Sequence, residues 1–330
     1  MTTRSSEPGG RLLLAPMEGV MDATMRDLIT RNGGFDLCVT EFLRVVDELL
    51  PPRVFHRLCP ELHAGARTPA GTPVRLQLLG NNPETMAVNA ARAVELGSPG
   101  VDINFGCPAR TVNKSRGGAI LLTEPETLYR VVSAVRAAVP AAQPVTAKMR
   151  LGFEDRARLL DNTWALLDAG AAEIVVHART KVDGYRPPAY WDEIARVAEV
   201  ARKRGVPVVA NGEVWSRADY DRCRAASGVT DVMLGRGALA LPNLAAVIAC
   251  GQPPWTWEQA LAAVMQLGAT DIAAGRERYM PSRIKQWLKY LERAYPEARI
   301  CFEQVKRVRT AAEMQAALRK GVSPPMAACL

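Results

Sequence analysis

The chain has 330 residues and carries 42 Lys and Arg against 34 Asp and Glu, a formal charge of +8. With 48% hydrophobic and 23% charged residues it has an ordinary globular balance, which excludes wholesale disorder. No apolar run approaches the roughly 20 residues that span a bilayer, so no membrane association is expected, and the length suits two domains or one large α/β barrel with an appendage.

Residues 1–10 are polar, include Pro8-Gly9-Gly10 and lack the apolar centre of a signal peptide; they read as a flexible lead-in without export, and the expected location is cytoplasmic. Eight short apolar segments follow: Leu12–Ala15, Leu37–Thr40, Val74–Leu78, Val101–Asn104, Val145–Met149, Ile174–His177, Pro207–Asn211 and Val232–Leu234. Their starts lie 25 to 44 residues apart, room each time for one helix and two loops. Amphipathic helices are predicted at Pro83–Leu96, Pro125–Val139, Arg158–Ala169 and Trp191–Lys203, three of them closed by a helix-stopping glycine at 97, 170 or 205. Strand then helix, eight times over, predicts a TIM (β/α)8 barrel over 11–252, with a doubly wound open sheet as the competing arrangement.

Beyond Pro253 the β-branched strands stop. Helices are predicted at Trp257–Ala274, Ser282–Arg293 and Ala298–Lys320, giving a C-terminal helical domain over 253–320 and a loose tail over 321–330. From Thr256 to Leu330 there are 12 Lys and Arg against 7 Asp and Glu, so five of the eight excess charges lie in the last quarter. That bias points to a polyanionic partner.

In a parallel barrel the chemistry sits where strands end. Those ends carry Pro16-Met17-Glu18, Glu41 and Arg44, Gln77, Asn104 to Pro108, Lys148 and Arg150, His177 and Arg179, Asn211-Gly212-Glu213, and Gly235-Arg236-Gly237. Glycine turns after the last two strands suit a phosphate, although tight strand-to-helix turns would look the same. Lys148 in an apolar strand needs a partner: a phosphate, an electron-rich ring or a carboxylate. His177 taken alone would be a satisfied core histidine.

The seven cysteines are an odd, scattered set without a C-x-x-C pair, which argues against a disulfide framework or structural zinc; no metal is expected. Cys107 differs from the rest because it lies between Gly106 and Pro108 at the barrel mouth. A thiol there suits a nucleophile or a general acid, and with an ordinary pKa of about 8.5 it is protonated at neutral pH.

Asn104–Pro108 with Gly117-Gly118-Ala119, Lys148-Met149-Arg150, His177–Thr180, Asn211–Glu213 and Gly235–Ala238 resemble the tRNA-dihydrouridine synthases. Ala15–Val20, Thr40–Val46 and Ser282–Leu288 resemble the bacterial C-type branch of that family. The likeness runs from Leu13 to about Arg309. Phe105 departs from it, standing where the family has a small residue before Gly-Cys-Pro.

The resemblance implies an FMN-dependent reductase driven by NADPH. FMN would contact Pro16, Met17, Glu18, Gln77, Lys148, His177, Asn211, Gly212, Glu213, Gly235 and Arg236. Hydride would pass from flavin N5 to C6 of a tRNA uridine, with Cys107 protonating C5; the branch implies D-loop position 16. Arg44, Asn104, Arg150, Arg283, Lys285, Tyr290, Arg293 and Lys306 fall on the tRNA-facing positions, although helix salt bridges would use several of the same cations. No obligate protein partner is implied. A flavin barrel reducing a small pyrimidine is the alternative, and it would not need a basic helical domain.

Overall fold

The computed structural model describes residues 10–320; the expected tail over 321–330, and the expected lead-in up to residue 9, lie outside the described residues. Eight parallel strands close into one barrel in sequence order: β1 (Leu12–Leu14), β2 (Leu37–Arg44), β3 (Val74–Leu79), β4 (Val101–Phe105), β5 (Val145–Arg150), β6 (Glu173–His177), β7 (Val208–Asn211) and β8 (Asp231–Leu234). Pairing of β1 with both β2 and β8 excludes the open sheet.

The connecting helices are α1 (Ala23–Thr30), α2 (Pro52–Leu58), α3 (Pro83–Glu95), α4 (Arg110–Lys114), α5 (Pro125–Ala138), α6 (Leu159–Asp168), α7 (Trp191–Arg202), α8 (Arg217–Ser227), α9 (Arg236–Ala240) and α10 (Leu244–Cys250), with 3-10 turns at Pro60–Ala64 and Gly118–Thr123. Among the described residues no helix is long and apolar enough to cross a membrane.

Because successive strand side chains point to opposite faces, every strand has an outer and an inner set. Leu76, Leu78, Val101, Ile103, Phe105, Val145, Ala147, Met149, Ile174 and Val176 belong to the main core beneath the helices. Phe105 is fully buried in that layer and does not line the pocket at the barrel mouth. The lumen is divided. Leu13, Ala15, Leu37, Val39, Val175, Val209 and Met233 form a small apolar plug. Between β3 and β6 the inner positions instead carry Arg75, Gln77, Asp102, Asn104, Thr146, Lys148, Arg150, Glu173 and His177. That polar half points the barrel's chemistry at one side of its mouth.

Four further helices follow: α11 (Trp257–Ala273), α12 (Met280–Leu291), α13 (Pro296–Val305) and α14 (Ala311–Lys320). The single helix expected over Ala298–Lys320 is therefore two. Thr310 and Glu313 exchange backbone-to-side-chain hydrogen bonds of 3.3 and 3.4 Å, a capping box that starts a new helix where the old one could have run on. The helical segment is tied to the barrel by Trp287, 1% exposed, whose indole donates to the Leu239 carbonyl at 3.0 Å. Arg283 forks onto Asp22, the N-cap of α1, at 2.5 and 2.9 Å, and Arg276 donates to Thr24 at 2.7 Å.

Candidate active site

The C-terminal mouth holds a pocket of about 570 Å3. All eleven positions expected to contact FMN line it, as do Cys107, Asn104, Arg150 and Tyr290. Strand register explains the gathering: Asn104 pairs with Lys148, Arg150 with His177, and His177 with Asn211, so neighbouring inward side chains come level.

Cys107 sits on a loop held from several sides. Asn104 Oδ1 accepts the backbone N–H groups of Gly106 and Cys107, each at 2.9 Å. Asn113 Nδ2 and the Ala119 N–H donate to the Cys107 carbonyl at 3.0 and 3.1 Å. Gly118 has φ +66°, and a Cβ there would lie 2.9 Å from that carbonyl, so glycine is required for the approach. Burial pushes the Cys107 thiol up, with Glu18 adding to the rise; the Ala109 N–H and the charges of Arg150 and Arg44 oppose it, and the net shift is upward. The group is thus a thiol at neutral pH, able to give a proton.

Lys148 donates to Asn211 Oδ1 at 3.0 Å, and Asn211 Nδ2 donates to the Met233 carbonyl at 2.9 Å. Desolvation, helped by the nearby charge of Arg150, lowers Lys148 to about 8. His177 is pushed well below its ordinary value by burial and by Arg150, Lys148, Arg179 and Arg236, so it is a neutral imidazole. Its buried Nδ1 has no hydrogen-bond partner. Burial alone would raise Glu213, but the hydrogen bond from fully buried Arg179 and the charges of Arg179 and Arg236 hold its carboxyl below the usual range. Gly212 and Glu213 have φ +119° and +60°, a left-handed pair that turns the chain sharply beneath the pocket. Gly237 is required by contact, since a Cβ would fall 2.0 Å from the Val214 carbonyl.

The expected RNA-facing residues divide. Asn104, Arg150 and Tyr290 are at the pocket, and Arg44 at the end of β2 reaches Ser115 beside the Cys107 loop. Arg293 lies 4.0 Å over the Trp215 ring at the edge of the mouth. Arg283 is spent on Asp22 and Asp271, Lys285 donates to the Val308 carbonyl at 3.0 Å, and Lys306 pairs with Glu303. Two pocket residues, and one that holds the lining residue Gln77, were not picked out from the sequence. Tyr185, half exposed, stands between Arg150 (5.2 Å) and Arg236 (4.7 Å) and meets His177 edge-on. It lies in a loop without periodicity, so only the fold reveals its place. Trp215 stacks with Arg236 and Arg293. Asp102, a carboxylate in mid-strand, carried the same signal that marked Lys148.

A pocket of this polarity at the C-terminal mouth of a parallel barrel is the mark of a (β/α)8 enzyme. A family model described as dihydrouridine synthase matches residues 13–323, and the chain belongs to that family of enzymes. It is 52% identical over 304 residues to a tRNA-dihydrouridine(16) synthase of Shewanella oneidensis, covering 92% of this chain and 96% of that one. Similarity to the proteins of that name from Pseudomonas putida (52%; 90% and 93% covered) and Escherichia coli strain K12 (48%; 90% and 93% covered) is of the same extent.

Proposed function

We propose that this chain is an FMN-dependent, NADPH-driven enzyme that reduces the D-loop uridine at position 16 of tRNA to 5,6-dihydrouridine. The position is the one in the names of the relatives described above, which match nine-tenths of the chain. The observation that carries the chemistry is the Cys107 thiol, on a loop hydrogen-bonded at its N–H and carbonyl, in the same pocket as Lys148, Asn211 and His177, whose Nδ1 has no partner among the described residues.

The residues present fit a flavin nucleotide. Nδ1 of His177 is a buried polar atom without a partner among the described residues, and the Gly212–Glu213 and Gly235–Gly237 turns line the same pocket. Arg236 beside those turns suits the phosphate. Gln77, Lys148 and Asn211 suit the ring edge, where the ammonium favours negative charge. When bound and reduced by NADPH, FMN would supply the hydride chemistry that reduction of the uracil requires.

The protein's own part is then to orient the base and deliver one proton. The uridine must leave its stack to enter, at a cost of a few kcal/mol that is smaller in a loop than in a duplex. Asn104 and Arg150 stand next to Cys107, and Tyr185 offers a face for the base. The Cys107 Sγ proton goes to C5, and solvent returns a proton to the thiolate. The cations and aromatics at the rim (Arg44, Arg236, Arg293, Trp215, Tyr290) favour a single-stranded segment of polyanion.

The test of the cofactor is titration of the FMN-free protein with FMN. Binding should yield a yellow complex, and failure to bind FMN under any folding condition would remove the proposal. Lys148 supplies a sign as well. Its ammonium is present below a pH of about 8 and lost above it, so FMN affinity should fall as pH rises through that value. Lys148→Met should bind FMN more weakly and lose the step; an identical pH step in the variant would assign it elsewhere.

A further inference from the structure

Asp102 is 1% exposed, near the middle of the polar lumen. Its carboxylate accepts the Gln77 side-chain N–H at 2.6 Å and the Thr146 hydroxyl at 2.6 Å. Gln77 Oε1 in turn accepts the Asn104 Nδ2–H at 2.8 Å, and Asn104 Oδ1 accepts the two N–H groups of the Cys107 loop. We infer that Asp102 is a positioning residue, whose carboxyl oxygen, accepting from Gln77, sets the direction of this hydrogen-bonded chain and thereby the orientation of both Gln77 and the Cys107 loop.

The argument is one of donor and acceptor polarity. A primary amide can turn end for end at little steric cost, exchanging its oxygen for its nitrogen. Two amides in series therefore have a wrong arrangement that fits the same space. The loop end of the chain presents only donors, because Gly106 and Cys107 offer backbone N–H groups. At the other end the Asp102 oxygen that faces Gln77 accepts its N–H at 2.6 Å. Each end independently demands that Gln77 turn its nitrogen toward Asp102 and Asn104 turn its oxygen toward the loop. With the chain set, Gln77 retains one N–H and one oxygen lone pair for a ligand in the pocket. Burial pushes the Asp102 carboxyl up; the Thr146 and Gln77 hydrogen bonds and the charges of Arg75 and Lys148 oppose that rise without cancelling it. The part of this inference that concerns a flavin rests on the function proposed above; the part that concerns the Cys107 loop does not.

A pair of nearly isosteric changes separates polarity from packing. In Asp102→Asn the new amide can still face Gln77 with its oxygen, provided its N–H groups find the Thr146 hydroxyl. Thr146 can accept because its own proton has an alternative acceptor, the Val101 carbonyl at 3.4 Å. Thr146→Val alone leaves the carboxylate unable to do anything but accept. Together the two changes remove what holds the new amide, whose N–H can then face Gln77 and oppose the polarity that the loop end imposes.

The readouts are FMN affinity and the rate at which iodoacetamide alkylates Cys107 in the FMN-free protein, mapped by mass spectrometry. Each single variant should stay within about threefold of the parent on both, and the double variant should bind FMN more than about tenfold more weakly. Cys107 is 8% exposed, so release of its loop should also speed alkylation severalfold in the double variant. Additive effects on both readouts, or a double variant that matches the parent, would overturn the assignment. If the parent itself fails to take up FMN, the flavin reading is what fails, and the alkylation rates still decide the role of Asp102. Should the double variant fold poorly, Asp102→Leu gives the same test, with Asp102→Asn as the conservative rescue.

Discussion

Cys107→Ala is expected to lower dihydrouridine formation at least about 100-fold, the lower range of what a positioned general acid contributes. The variant should still bind FMN and accept electrons from NADPH, because the loop is held through the Cys107 backbone, not its thiol. Alanine keeps the Cβ that packs against Gly118, and the residue's N–H and carbonyl bonds persist. Single-turnover reduction of a tRNA transcript by the pre-reduced enzyme measures the step directly. The rise in the thiol's pKa gives the loss a pH signature in the parent. Turnover should hold through neutral pH and fall only above the ordinary thiol range, as the proton donor is lost. A Cys107→Ala enzyme that retains parental single-turnover rates would take the proton role away from this residue.

The second large effect lies away from the chemistry. Arg26, 0% exposed, is held by Glu61 through two bonds of 2.8 Å and donates to the Met21 and Leu58 carbonyls at 2.9 and 3.2 Å. It fixes α1 to the 3-10 turn that precedes β3, and through Met21 it fixes the end of the loop bearing Pro16, Met17 and Glu18. Glu61→Ala leaves a buried guanidinium without its counter-charge, a change that costs about 3–5 kcal/mol. The expected result is a matching loss in urea unfolding, with Cys107 alkylation in the remaining folded protein unchanged. A loss under about 1 kcal/mol would mean that carbonyls or water satisfy Arg26 unaided.

The eight strands could be found in the sequence because a parallel barrel buries both faces of each strand, which leaves short β-branched runs such as Val145–Met149 between turn residues. The pocket was legible for a related reason. Residues just after strand ends converge in any such barrel, so Asn104, Lys148, His177 and Asn211 could be grouped before their distances were known.

What escaped was what depends on partners distant in the chain. Asp102 stood in plain sight in a buried strand, but its meaning depends on Gln77, 25 residues earlier, and on Thr146, 44 residues later. Arg26 and Glu61 look like surface charges until the fold buries them together. The basic bias of the last quarter was visible, yet several of its cations serve the protein itself. Arg276 and Arg283 bind the barrel, Lys285 holds the loop between α13 and α14, and Lys289 and Lys306 pair with Glu292 and Glu303 three residues away. Removal of the whole helical segment would also strip the barrel surface that Trp287 covers. Single charge reversals at Arg44 or Arg293 are the cleaner probes of RNA contact.

The most direct measurement is to map dihydrouridine, nucleotide by nucleotide, in an unmodified tRNA transcript treated with the purified protein, FMN and NADPH. The account predicts conversion at position 16 of the D-loop, dependent on both cofactors and absent with Cys107→Ala. Conversion confined to another position, or none by a protein with FMN bound and reduced, would contradict it.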